Sequence, residues 1–190
     1  MGGHITQGVS IFLALFYMDN SFFAYLQQLE LMAFFSGYPM LYAVVFFVAG
    51  NRQLKKNTKA RLVVALPLSY ALVGTFFLGF QLKKLYPDYS LAHIHLSMQQ
   101  PWLVVWGLLA VLFWVSYFAK KTVWSLLHSF IFFFFLLKDF VLQSSTTSDG
   151  NIIANDMKMY TASLLLNLCA FAVTALLYFP IIYLKKRQHS

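Results

Sequence analysis

The sequence predicts an all-α integral membrane protein: a bundle of five transmembrane helices preceded by a helix lying in the membrane interface. Three observations carry this reading. The 190 residues are 60% hydrophobic and only 11% charged, too little charge to cover the surface of a soluble domain. The apolar residues form runs of membrane length, some with no polar face at all, such as Phe132 to Phe135. Lys and Arg cluster at the ends of those runs, where membrane topology explains them.

A helix crossing the hydrocarbon core needs about 20 mostly apolar residues, and five runs qualify. The first covers residues 29–49 and closes at Gly50-Asn51-Arg52; the second covers 62–82 and stops at Lys83-Lys84. The third, 101–119, and the fourth, 122–143, meet through Lys120-Lys121 as a tight antiparallel hairpin. A stretch rich in Ser, Thr and Asp follows, and the fifth run, 159–184, stops at Lys185-Lys186-Arg187. The expected organisation is an interfacial segment over 1–28, the helical domain over 29–184 and a basic tail over 185–190. The apolar part of the interfacial segment, Val9 to Met18, is too short to span and is cut by Asp19-Asn20.

Orientation follows from the basic residues of the short loops. Arg52, Lys55, Lys56, Lys59, Arg61, Lys120, Lys121, Lys185, Lys186 and Arg187 fall on one side of the five-span arrangement. Lys83, Lys84 and Lys158 fall on the other, with Lys138 near that end of the fourth helix. The expected topology places the amino end outside and the tail in the cytosol, in a bacterial inner membrane. All six acidic residues fit the outer side, although acidic charge weighs little in this rule. The net charge of +8 is accounted for in the same way, so no nucleic-acid partner is expected. Residues 1–25 hold no Lys or Arg, so no cleavable secretory signal is expected there.

Lipid removes the hydrophobic drive between helices, so small residues mark where backbones approach. Ala71, Thr75 and Gly79 form such a stripe on the second helix, and Ala33 with Gly37 do so on the first. Gly37-Tyr38-Pro39 should also bend the first helix. In the fifth helix Ser163, Asn167 and Thr174 share a face, and Asn167 is expected to hydrogen-bond across the bundle.

Chemistry is sparse. His128, Lys138, Asp139 and Asn167 are the polar intramembrane candidates, because ionisable groups at membrane depth are often functional. Lys138-Asp139 sits close enough to the outer end of its helix to read also as an interfacial ion pair, with Glu30 as a partner for Lys138. His128 and Asp139 are eleven residues apart and project nearly the same way, about 16 Å apart along the axis. Only water could link them, and a hydrogen bond from His128 to a neighbouring helix is the simpler expectation. His93 and His95, with Asp88, are weak metal candidates in the outer loop, lacking a third well-placed ligand. A haem held by His95 and His128 would need ligands most of a bilayer apart, so no cofactor is expected. Cys169 stands among apolar neighbours and reads as a small buried packing residue. One cysteine permits no internal disulfide, and no nucleophile triad, phosphate loop or dinucleotide fingerprint occurs.

The sequence thus leads us to expect a non-enzymatic accessory or structural subunit of a membrane assembly, with the lipid bilayer and a membrane protein or a second copy of the chain as partners. A small transporter lined by Asp139, Lys138, His128 and Asn167 is the alternative. An enzyme with an outer-face His/carboxylate site is a further one.

Overall fold

The computed structural model describes residues 26–50, 56–87, 89–91, 94, 100–145 and 150–188. The expected interfacial helix lies outside them, as do Asp88, His93 and His95. The described residues are helical almost throughout, with no strand among them. Helix α1 covers 26–35 and α2 Tyr38–Gly50; together they make the first apolar stretch. Helix α3 is Lys56–Leu85. Helix α4, Pro101–Leu108, runs into a 3₁₀ segment, Leu109–Trp114, followed by the short α5, Ser116–Ala119. Helices α6, Thr122–Ser145, and α7, Gly150–Gln188, complete the chain.

Three stretches are long and apolar enough to cross a membrane: Leu26–Gly50, Thr58–Leu85 and Met157–Tyr178. Pro101–Trp114 and Thr122–Lys138 are shorter apolar helices. Helix α7, with 39 residues, is about 58 Å long, roughly twice the hydrocarbon thickness. The fifth run therefore belongs to a longer helix that takes in residues expected to form a loop.

The third run departs most from expectation. Rather than one helix over 101–119, it changes from α to 3₁₀ at Leu109 and breaks at Val115, whose ψ of 129° is extended. The tighter 3₁₀ coil rises about 2.0 Å per residue. Pro101 to Trp114 thus reaches about 24 Å, close to a bilayer core in fewer residues than an α-helix needs.

Side-chain contacts give the helix directions. Glu30 meets Lys84, Phe35 meets Phe77 and Tyr38 meets Tyr70, so the first stretch and α3 are antiparallel. Trp102 lies by Phe135 and Trp106 by His128, so α4 and α6 are antiparallel too. The core is aromatic where these helices converge: Phe35 stacks on Phe132 at 4.8 Å, and Tyr38 and Tyr70 approach to 4.4 Å between centroids. Such pairs add about 0.5–1.5 kcal/mol each beyond area burial.

Backbone approach is tightest at two glycines. A Cβ on Gly37 would lie 2.7 Å from the Ser163 carbonyl carbon and 2.6 Å from Leu164 Cα. A Cβ on Gly74 would lie 2.8 Å from the Ala110 Cβ and 2.9 Å from its carbonyl carbon. The stripe expected on the second helix is therefore displaced. Ala71 is buried, but Thr75 is exposed and bonded to Trp114, and a Cβ on Gly79 would meet open space. Gly74, one position before Thr75, makes the approach, because the 3₁₀ backbone lies against that side of α3. On the first stretch Gly37 makes the contact while Ala33 is half-buried.

Gly37→Ala and Gly74→Ala should each lower thermal stability in mild detergent, by about 1–3 kcal/mol of overpacking. Gly79→Ala should leave it unchanged or slightly raised. Circular-dichroism melts of the three variants check the contrast.

Candidate functional site

The polar groups of the bundle gather where helices break. Between α1 and α2, residues 36–37 form a turn that interrupts the helix. The Phe34 carbonyl and the Gly37 N–H then turn to the side chains of α7. Asn167 Nδ2 donates to the Phe34 carbonyl at 2.8 Å and to the Ser163 carbonyl at 2.8 Å. Gly37 N–H donates to Ser163 Oγ at 2.8 Å. Asn167 is 1% exposed, and its Oδ1 is buried without a partner. Asn167 thus crosses the bundle to a broken backbone.

The second cluster surrounds His128. Its Nε2 lies 2.9 Å from the Trp106 carbonyl oxygen and its Nδ1 2.6 Å from the Tyr70 hydroxyl. A carbonyl only accepts, so Nε2 donates, and in the neutral ring Nδ1 accepts from Tyr70. The imidazole stacks on the Trp106 indole at 4.9 Å and 8° between planes. Trp106 Nε1 in turn donates to the His128 carbonyl at 3.3 Å. The Trp106 carbonyl lies at the junction of α4 and the 3₁₀ segment, where it also takes the N–H of Leu109. Tyr38 and Ser125 share a hydrogen bond of 2.8 Å one turn away on α6.

A third group lies where α1 begins and α3 ends. Lys84 Nζ donates to both oxygens of Glu30, at 2.8 and 3.0 Å. Glu30 is therefore engaged by Lys84 rather than by Lys138, because antiparallel packing sets residues 30 and 84 at one level. Gln27 Oε1 accepts the N–H of Gln100 at 2.9 Å, tying α4 to α1. The Nε2 atoms of Gln27 and Gln81 are buried without a partner.

His128 and Asn167 do not converge. His128 is held by α3 and α4, and Asn167 by α1, with no bonding partner in common. Lys138 is exposed, and the side chain of Asp139 lies outside the described residues. Cys169 is exposed rather than buried, since it falls on the outer side of α7 while Ala170 faces inward. Among the described residues no three His, Cys, Asp or Glu come together as a metal group.

Tyr70, Trp106 and Tyr38 were not expected from sequence as hydrogen-bond partners of α6. A signal for the α6 half did exist: Ser125, His128, Ser129 and Phe132 follow the i, i+3, i+4, i+7 spacing and are all buried. In a Phe-rich helix, a face of small and polar residues is the face turned inward. Beside this cluster, α6 and the 3₁₀ segment enclose an apolar groove of about 360 Å³.

The chain matches no protein-family model, no curated protein sequence and no solved structure.

Tyr70→Phe and His128→Phe should each destabilise the protein by about 1–3 kcal/mol, by orphaning a buried partner. The double variant should cost clearly less than the two losses added, which a double-mutant cycle of unfolding measurements reads directly. Asn167→Leu should cost about 0.6–2 kcal/mol by the same measurement.

Proposed function

We propose that this chain is a multi-pass membrane protein that crosses the bilayer five times, with its amino end outside and its carboxyl end in the cytosol. We place it in a bacterial inner membrane, where it serves as an accessory or structural subunit through helix contacts. Three stretches of membrane-spanning length and two shorter apolar helices support the membrane reading.

The observation that carries the accessory role is the state of the intramembrane polar groups. The His128 ring and the Asn167 amide nitrogen, two of the groups that would line a permeation path, are directed at the backbone and at Tyr70. His128 uses both ring nitrogens, and the Asn167 amide nitrogen is taken by two carbonyls. The groove next to His128 is walled by apolar and aromatic side chains. A transport path needs polar groups free to replace the hydration shell of its cargo, so this arrangement favours a framework role.

Helix α7 offers the contact surface. Only 22% of its apolar window is buried, against 56% and 50% for the other two long stretches. Leu165, Leu168, Leu176 and Leu177 face outward, with Cys169 between them. The partner that fits is a transmembrane helix, because small positions among leucines let backbones approach.

Single-cysteine variants in a Cys169→Ala background test the topology. Lys59→Cys and Lys121→Cys should react with an impermeant reagent only from the cytosolic side, and Tyr89→Cys only from outside. The reverse pattern, or one compartment for all three, would refute it. A photo-crosslinking residue at Leu168 or Leu176 should give protein adducts in native membranes. Lipid adducts alone would remove the accessory reading.

A further inference from the structure

We propose that the groove between α6 and the 3₁₀ segment seats one acyl chain of an anionic phospholipid whose phosphate is held by Lys120 and Lys121. The proposal rests on the membrane reading above, in which the turn at these lysines lies at the cytosolic surface. It does not depend on the accessory role.

The walls follow from the two helical periods. Trp124, Leu127 and Ile131 lie one to two turns apart on one side of α6. Opposite them stand Trp106, Leu109 and Leu112, spaced by three residues. In a 3₁₀ coil residues i and i+3 eclipse each other, so Leu109 and Leu112 form a straight wall that an α-helix would have twisted away. Trp124 to Ile131 spans about 10 Å of helix axis, and the half-open groove of about 360 Å³ is apolar. His128 closes its floor with both ring nitrogens engaged, so nothing there calls for a polar ligand.

Charge chooses the occupant. Lys120 and Lys121 are exposed at the turn that closes this groove at its α5 end. The Lys121 ammonium lies 5.6 Å from the ring centroid of Trp124, a wall residue, and 3.1 Å from the Tyr117 hydroxyl. The Lys121 backbone N–H donates to the carbonyl of Phe118, another wall residue. Helix α6 begins at Thr122, so the positive end of its dipole points to the same place. A neutral lipid would use the walls and not the cations, whereas a free phosphate would use the cations and not the walls. An anionic phospholipid uses both.

The full-length protein is reconstituted in vesicles of equal parts phosphatidylcholine and phosphatidylglycerol and extracted in mild detergent. Native mass spectrometry then identifies the retained lipid. Wild type should keep phosphatidylglycerol in clear excess, and Lys120→Gln with Lys121→Gln should lower that excess about fivefold for each lysine removed. Lys158→Gln, at the opposite end, should change nothing. Leu127→Trp, which fills the groove from an exposed position, should abolish retention while leaving the melting temperature intact. Equal retention of both lipids by wild type overturns the proposal. So does retention that survives the double lysine change or Leu127→Trp. Thiol labelling of the loops reads the topology separately, so failure of the lipid site and failure of the membrane reading are distinguishable.

Discussion

The fold answers to one constraint: a backbone N–H or C=O buried away from water must find a partner, so a break in a helix calls for one from within the chain. Two of the apolar stretches are broken, and polar side chains of a later helix meet the backbone of both. At Gly37 these are Ser163 and Asn167 on α7. At the end of α4 His128 on α6 adds a second bond to the Trp106 carbonyl, which also takes the Leu109 N–H. Ser163, Asn167 and His128 are therefore tied to irregularities of the backbone.

The breaks in turn shape the packing. The turn before Tyr38 brings Gly37 against the backbone at Ser163, close enough that no Cβ fits. The 3₁₀ segment does the same against Gly74 through Ala110. Between these close approaches large aromatic side chains fill the space, with Phe35, Tyr38, Tyr70, Phe77 and Phe132 all buried. Dispersion and ring contacts such as that of Phe35 with Phe132 hold this core together. The outer side of α7 lacks such neighbours and stays open.

Composition and run length were enough to foresee helices alone. A chain this apolar must satisfy its backbone locally, and with the described residues helical almost throughout the two agree. The bend at Gly37-Tyr38-Pro39 was also legible, because proline removes a donor and glycine admits a neighbour. The change to 3₁₀ at Leu109 was not. Leu109-Ala110-Val111-Leu112-Phe113-Trp114 contains no helix breaker, and its coil tightens in contact with α3 at Gly74. The stripe on the second helix failed for a related reason: four-residue spacing finds small residues but not which side of the helix is turned toward a neighbour.

The candidate residues divide along the same line. That Asn167 and His128 need partners follows from their chemistry in an apolar run, and one sequence suffices to say so. That the partners are the Phe34 carbonyl, the Tyr70 hydroxyl and the Trp106 carbonyl depends on which helices lie side by side and at what level. Glu30 shows the difference most simply, since its charge predicts a cation but only antiparallel packing selects Lys84. Local chemistry and hydropathy are properties of the chain. Pairing between segments as far apart as 34 and 167 is decided by the packing of whole helices, and only the tertiary structure contains it.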